Sequence, residues 1–254
     1  MKQEQLTVNN AFSDVNCQRL LAIDTFAQIL SIAVISGEEI YYAETEEGMK
    51  HSELVMDYID ALMKSANLKP CDLQGVLCMG GPGSFTGLRI GWSIAKGLAL
   101  SLSIPFAPVP TLDCIAYQRT VNKEQRTVIL ALVESRKNSY YYAFFKDGKR
   151  LTPDKDADSA QIGREIKNYE EKIVLTGHGS GLFFNSLGQE EKQNLILKSE
   201  KRGYAKEIIY TALETSLRLA QNRNIFDNDH IAYLYSGPEY IRLTDAEAAL
   251  GLQI

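Results

Sequence analysis

Apolar positions come in short unbroken runs at the start of the chain and in helical stripes further along. Leu20-Leu21-Ala22-Ile23 and Ile29 to Ile35 read as two strands joined by a turn at Asp24 to Gln28, and Gly37 opens a second turn before a third strand at Glu38 to Thr45. Consecutive strands with short links predict an antiparallel meander. Between His51 and Ser65 the apolar residues fall at 54, 55, 58, 59 and 62, which is one helical face. Gly75 to Met79 reads as a buried strand, Ile90 to Leu102 as a helix, Ile104 to Val109 as an extended piece and Leu112 to Gln118 as a short helix. This βββαβαβα order predicts a mixed sheet with helices on its faces.

Beyond a charged stretch at Arg119 to Arg126 the pattern restarts. Thr127 to Val133 and Ser139 to Phe145 read as strands linked by Glu134 to Asn138, and Lys146-Asp147-Gly148-Lys149 turns the chain back. Asp154 to Ser159 reads as a loop, Ala160 to Tyr169 as a helix and Ile173 to Gly177 as a buried strand. Tyr204 to Leu219 is amphipathic, with apolar residues at 208, 209, 212, 213, 217 and 220. The division that follows is a polar, disordered extension at 1–16, a first lobe at 17–118 and a second at 119–254, whose last helix could pack back on the first.

The densest local signal is Gly80-Gly81-Pro82-Gly83-Ser84-Phe85-Thr86-Gly87-Leu88-Arg89-Ile90-Gly91. It reads as a strand end, a tight turn and a helix start capped by Ser84 or Thr86. A helix start behind glycines can hold an anion. The spacing matches neither phosphate-binding glycine pattern, and no lysine follows the turn. Close packing through the glycines is therefore the favoured reading.

Composition narrows the class. The 254 residues are 45% hydrophobic and 23% charged, enough for a sizeable core. No run of 18 apolar residues suggests a transmembrane helix, and the polar start is unlike a signal peptide. Cys17, Cys71, Cys78 and Cys114 are scattered and read as reduced thiols of a cytoplasmic protein, while His51, His178 and His230 are too dispersed for a zinc site. Residues 1–118 hold seven Lys or Arg against thirteen Asp or Glu, and the remainder is near balance, so neither half has the basic excess of a stand-alone nucleic-acid binder.

Leu21-Ala22-Ile23-Asp24-Thr25 resembles the opening strand of the actin/hexokinase/Hsp70-like ATPase superfamily, whose two-lobed α/β fold is ribonuclease H-like. His51-Ser52-Glu53, the segment Gly81, Pro82, Gly83, Ser84, Phe85, Thr86, Gly87, Leu88, Arg89, then Ala95 to Ala99, Ile104-Pro105 and the closing Pro238-Glu239-Tyr240-Ile241-Arg242 resemble one branch, the TsaB (YeaZ) family. The resemblance is dense over about 20–118 and thin from 119 to 237. It implies a non-catalytic cytoplasmic subunit that binds and organises its paralogue TsaD, with the ATPase TsaE joining. That complex forms threonylcarbamoyladenosine at position 37 of tRNAs that read codons starting with A. It implies no cofactor of its own, since ATP and a metal belong to the partners, and contact with tRNA only through the complex. A heterodimer with TsaD and a homodimer in isolation are implied, with no membrane association.

Individual residues agree with a subunit without chemistry. The metal motif H-x-x-x-H of the TsaD branch corresponds here to Thr111 and Ile115, which are not transition-metal ligands. The first turn, where the superfamily cradles phosphates, lacks glycine. Asp24 and Thr25 remain as weak nucleotide-binding candidates, with Asp24 as a turn residue the favoured alternative. Ser52 reads as a helix N-cap rather than a nucleophile beside His51. Thr176 to Gly181 reads as a flexible connection, Glu134 and Arg136 as an ion pair at a strand end, and Tyr140, Tyr141 and Tyr142 as sheet residues. Val55, Met56, Ile59, Leu62 and Met63 spread over more than one helical face and are the candidates for the TsaD interface, against an all-buried core helix. A stand-alone small-molecule kinase or glycoprotease-like peptidase of the superfamily is the alternative function, and a self-associating dimer unrelated to TsaD is a third.

Overall fold

A computed structural model describes residues 2–7, 18–46, 50–121, 127–198, 201–219 and 236–238. Strand β1 (Lys2–Thr7) is followed by β2 (Arg19–Asp24), β3 (Leu30–Ser36), β4 (Glu39–Thr45), α1 (His51–Ser65), β5 (Gly75–Gly81), α2 (Phe85–Leu102), β6 (Phe106–Pro110) and α3 (Thr111–Val121). Then come β7 (Val128–Arg136), β8 (Ser139–Lys146), β9 (Lys149–Arg150), β10 (Lys155–Asp158), α4 (Ser159–Ile166), β11 (Ile173–Thr176), α5 (Ser180–Ser186), α6 (Gln189–Lys192), β12 (Leu195–Lys198) and α7 (Ala205–Leu219).

The chain divides into two compact units. Unit 1 takes residues within Met1–Gly80, Ser84–Cys114 and Lys201–Pro238, and unit 2 those within Gly81–Gly83, Ile115–Glu200 and Glu239–Ile254. The division is therefore not the linear one at 118/119, because the chain returns to unit 1 at Lys201. Unit 1 holds a sheet in the order β1-β4-β3-β2-β5-β6. Its meander is antiparallel, with Ala22 opposite Ala33 and Ala33 opposite Tyr42, and β5 joins β2 in parallel. The runs that predicted β2 and β3 are buried almost throughout because helices cover them: α1 packs on β3 and β4, and α7 on β2, β3, β4 and β6. Leu21, Ile23, Ile32 and Val34 meet Val55, Ile59, Leu62, Trp92 and Phe106 in that core.

Unit 2 holds a sheet in the order β10-β8-β7-β11-β12, with β9 paired to β8. Val128, Leu130, Leu132, Tyr140, Tyr142 and Phe144 pack there with Ile162, Ile166 and Phe183.

Three local expectations are corrected. Residues 2–7 of the presumed disordered extension form β1, paired antiparallel to β4 from Lys2 opposite Glu44 to Thr7 opposite Glu39. The loop expected at 154–159 contains β10, which pairs with β8 from Lys155 opposite Tyr142 to Asp158 opposite Ser139. Glu134 and Arg136 form no ion pair, because both lie in β7, where the register to β8 shifts between them.

Candidate functional site

The two nucleotide-binding candidates lie in unit 1 at the end of β2, and both are committed to internal contacts. Asp24 is 1% exposed. Its Oδ1 accepts a hydrogen bond from the Phe26 amide at 3.2 Å, and its Oδ2 accepts from the Ser31 hydroxyl at 3.1 Å and the Tyr204 amide at 2.6 Å. Ser31 Oγ in turn accepts from the Ala205 amide at 3.0 Å. Asp24 and Ser31 together satisfy the amides of Tyr204 and Ala205 at the start of α7, from 180 and 174 residues away. Asp24 is thus a turn residue, through Phe26, and an anchor for the start of α7.

The segment before α7 fits just as closely. The Gly203 amide donates to Glu44 Oε2 at 3.0 Å, and its carbonyl accepts from the Tyr42 hydroxyl at 3.2 Å. A Cβ at Gly203 would stand 2.2 Å from Ser31 Cβ and Oγ. Arg202 pairs with Glu207 at 2.6 Å, and Lys206 pairs with Glu4 at 3.2 Å while lying 4.1 Å above the Tyr42 ring. No short-range sequence signal pointed to Ser31, Tyr42, Glu44 or Gly203; the available cue was a glycine just ahead of an amphipathic helix.

Burial pushes the Asp24 carboxyl up to about 7, and the neighbouring Glu207 adds to the shift, against three hydrogen bonds that favour the ionised form. The folded state therefore keeps a proton between about pH 4 and 7 that the unfolded chain releases. Stability from this group is present at low pH and falls as pH rises through that window, by up to about 4 kcal/mol. Asp24→Asn removes the titration but keeps an acceptor for the Tyr204 amide. Relative to the parent, its unfolding free energy in urea is expected to rise steadily from pH 4 to pH 8. A difference that stays flat with pH would show that Asp24 does not titrate this way.

Thr25 supports α2. Its hydroxyl donates to the Gly87 carbonyl at 2.6 Å. A Cβ on Gly87 would stand 2.1 Å from the Thr25 carbonyl oxygen, and one on Gly91 would stand 2.6 Å from Thr25 Oγ1. The two glycines therefore let the helix lie against the first turn. Ser84 is the N-cap, its Oγ accepting from the Gly87 amide at 3.3 Å. Gly81 takes φ 111°, Pro82 is buried and Leu88 is 1% exposed, while Thr86 and Arg89 are exposed and the Arg89 guanidinium lies 5.7 Å from the Phe85 ring centre. Among these residues, the glycine segment is a packing device.

The metal-motif positions Thr111 and Ile115 are both buried, each 0% exposed. Among the described residues, no three His, Cys, Asp or Glu side chains gather as a metal site would require. Burial pushes the thiols of Cys78 and Cys114 well up, which leaves them poor nucleophiles. In unit 2, the Thr176 to Gly181 turn is closely packed rather than a loose connection. Gly177 takes φ 108°, and a Cβ there would stand 2.1 Å from the Leu132 carbonyl oxygen.

Helix α1 carries the five interface candidates, and four face inward. Val55, Ile59, Leu62 and Met63 are at most 6% exposed and belong to the unit 1 core; Met56, at 48%, is exposed. The correction has a geometric cause. A helix seated on β3 and β4 with α2 beside it buries a wide arc, so apolar breadth alone does not mark a second contact face. Ser52 is not the N-cap either: the helix starts at His51, whose Nε2 lies 3.2 Å from the Gln28 carbonyl, and Lys50 takes the cap position without a side-chain bond.

The outward surface of α1 and α2 is nonetheless distinctive. Alongside Met56, α1 exposes Glu53, Asp57, Asp60 and Lys64. On α2, Leu100 is 62% exposed and Ile90 and Ile94 are half-buried. Gly97 is exposed mid-helix, and nothing lies within 4 Å of where its Cβ would be. A mid-helix glycine costs about 1 kcal/mol relative to alanine, and no contact among the described residues explains it.

A family model described as TsaD, tRNA N6-adenosine threonylcarbamoyltransferase, matches residues 45–249. The tRNA threonylcarbamoyladenosine biosynthesis protein TsaB of Bacillus subtilis (strain 168) is 28% identical over 236 residues, covering 90% of this chain and 96% of its own. The protein of that name from Escherichia coli (strain K12) is 30% identical over 229 residues, covering 88% and 94%. Among solved structures, a Pseudomonas aeruginosa protein described as similar to peptidase YeaZ superposes with a TM-score of 0.69 at 18% identity, over 89% of this chain and all of that one. YeaZ from the same organism superposes with a TM-score of 0.65 at 16% identity, over 83% and 97%. At those identities the structures establish the shared fold.

Proposed function

The chain belongs to the TsaB family, and on that footing we propose that it is a cytoplasmic subunit of the machinery that forms threonylcarbamoyladenosine at position 37 of tRNAs reading codons that start with A. Its role there is to bind and organise TsaD, with TsaE joining, and to perform no chemistry itself. The observation that carries the non-catalytic reading is the commitment of Asp24 and Thr25. The carboxylate and hydroxyl of the first turn are spent on Phe26, Ser31, Tyr204 and Gly87, which supports a turn that holds helices rather than phosphates. ATP and a metal then belong to the partner subunits, and tRNA is met only in the complex.

In this reading the contact with TsaD uses the outward side of α1 and α2; the exposure of Met56 and Leu100 and the open space at Gly97 support it. The same face pairs with itself when the partner is absent. Binding energy there would hold TsaD in its competent form. Reconstitution with tRNA, TsaD, TsaE, ATP and the activated threonylcarbamoyl donor tests the role. Nucleoside analysis is expected to find the modified adenosine only when this chain is added, and none when the chain acts without TsaD. Product formed by the chain without TsaD, or undiminished product without the chain, would contradict the proposal.

A further inference from the structure

Three buried oxygens of unit 1 have no hydrogen-bond partner among the described residues: Thr111 Oγ1, Glu207 Oε2 and Thr211 Oγ1. Their residues are 0%, 5% and 8% exposed. A buried polar atom left unsatisfied is costly, so such atoms gathered in one place call for a common partner. The fold gathers these. Glu207 and Thr211 stand one turn apart on the same side of α7, as do Thr111 and Cys114 on α3. α7 packs on β6, which leads directly into Thr111. The Cys114 thiol adjoins the Thr211 hydroxyl and feels the charge of Glu207, so the two helix sides face each other.

Charge at this corner is unbalanced in one direction. Glu207 gives its other oxygen to Arg202 at 2.6 Å, and Lys206 is paired with Glu4. Asp24 and Glu44 are held by amides and hydroxyls, and neither is in an ion pair among the described residues. The carboxylates therefore outnumber the cations beside the three oxygens.

We propose that Glu207 Oε2, Thr211 Oγ1 and Thr111 Oγ1 hold an alkali-metal cation that fastens α7 to the start of α3. All three donors are oxygen, the ligand type of hard cations. One carboxylate oxygen with two neutral hydroxyls balances a single positive charge, whereas a divalent cation such as calcium calls for more carboxylate. A transition metal would seek imidazole or thiolate, and burial keeps the Cys114 thiol protonated. A water molecule would satisfy the oxygens but leave the excess negative charge in place. The ion is structural and distinct from the metal assigned to the partner subunits.

Thermal unfolding in sodium, potassium and tetramethylammonium chloride at equal ionic strength tests this. The melting temperature is expected to be higher in at least one alkali salt, and to level off as the alkali ion replaces the organic one. At a concentration 100 times the dissociation constant, the folding equilibrium constant rises about a hundredfold. Thr211→Val and Thr111→Val keep the side-chain shape and remove a donor, so each should lose most of the alkali advantage. Thr211→Ser, which keeps the hydroxyl, should retain it. Equal melting temperatures of the parent in all three salts would overturn the proposal. So would an alkali advantage that survives intact in folded valine variants. The measurement needs neither TsaD nor tRNA, so its failure would leave the proposed function standing.

Discussion

Replacing Met56 and Leu100 together with glutamate is expected to abolish stable capture of TsaD, with affinity falling at least about a hundredfold, while the melting temperature barely moves. The two side chains are 48% and 62% exposed, so the isolated protein loses little by the change. Surface substitutions of this kind usually stay within about 0.5 kcal/mol. At an interface the outcome differs, because the new carboxylates would be driven into an apolar contact without partners, at a cost of several kcal/mol. The contrast with the inward-facing set matters. Val55→Asp or Leu62→Asp would also abolish binding, but by unfolding unit 1, and would say nothing about the surface. Titration calorimetry with TsaD, paired with a thermal melt of each variant, separates the two causes. Intact binding by a folded double variant would remove α1 and α2 from the interface.

The second large effect concerns Gly87. A Cβ there would stand 2.1 Å from the Thr25 carbonyl oxygen and 3.1 and 3.2 Å from two neighbouring backbone carbons. Both partners are main chain, so neither can rotate aside, and α2 must move off the first turn. Gly87→Ala is expected to cost about 3 kcal/mol or more, at the upper end for overpacking and against alanine's better helix propensity. Gly91→Ala should cost less, because its Cβ would meet the Thr25 hydroxyl at 2.6 Å, which is a side chain. In a Thr25→Ala background much of the Gly91→Ala penalty should disappear, whereas that of Gly87→Ala should persist. Urea unfolding of the single and double variants checks this coupling. Equal penalties for both glycines in both backgrounds would contradict the close-packing account.

How much the sequence disclosed depends on how local each cause is. The β2–β3–β4 meander was legible because its apolar runs are continuous and Gly37 separates the last two strands with a turn at φ 63°. The cap was legible to within two residues, Ser84 or Thr86, because a hydroxyl just ahead of a helix is a local signal; the structure uses Ser84. β1 was not, because its polar residues pair through the backbone and leave no hydrophobic alternation. β10, which reads Lys-Asp-Ala-Asp, lacks β-propensity and exists through its pairing with β8.

The candidate site divides along the same line. Asp24 and Thr25 were found by position, but the partners that decide their role lie far away in sequence. Tyr204 is 180 residues from Asp24 and Gly87 is 62 from Thr25, so nothing near either residue announced the contact. Four of the five interface candidates, Val55, Ile59, Leu62 and Met63, are buried for another reason: helical periodicity reports how wide the apolar arc is, not how many neighbours share it. Met56 became distinct from Val55 and Ile59 once the positions of β3, β4 and α2 fixed which directions were covered.

Size-exclusion chromatography with light scattering, on this protein alone and mixed with folded TsaD from the same source, with and without ATP, tests the central claim most directly. The account predicts a shift to the mass of a one-to-one complex, at the expense of any homodimer. Two species eluting unchanged beside each other under all of these conditions would contradict it.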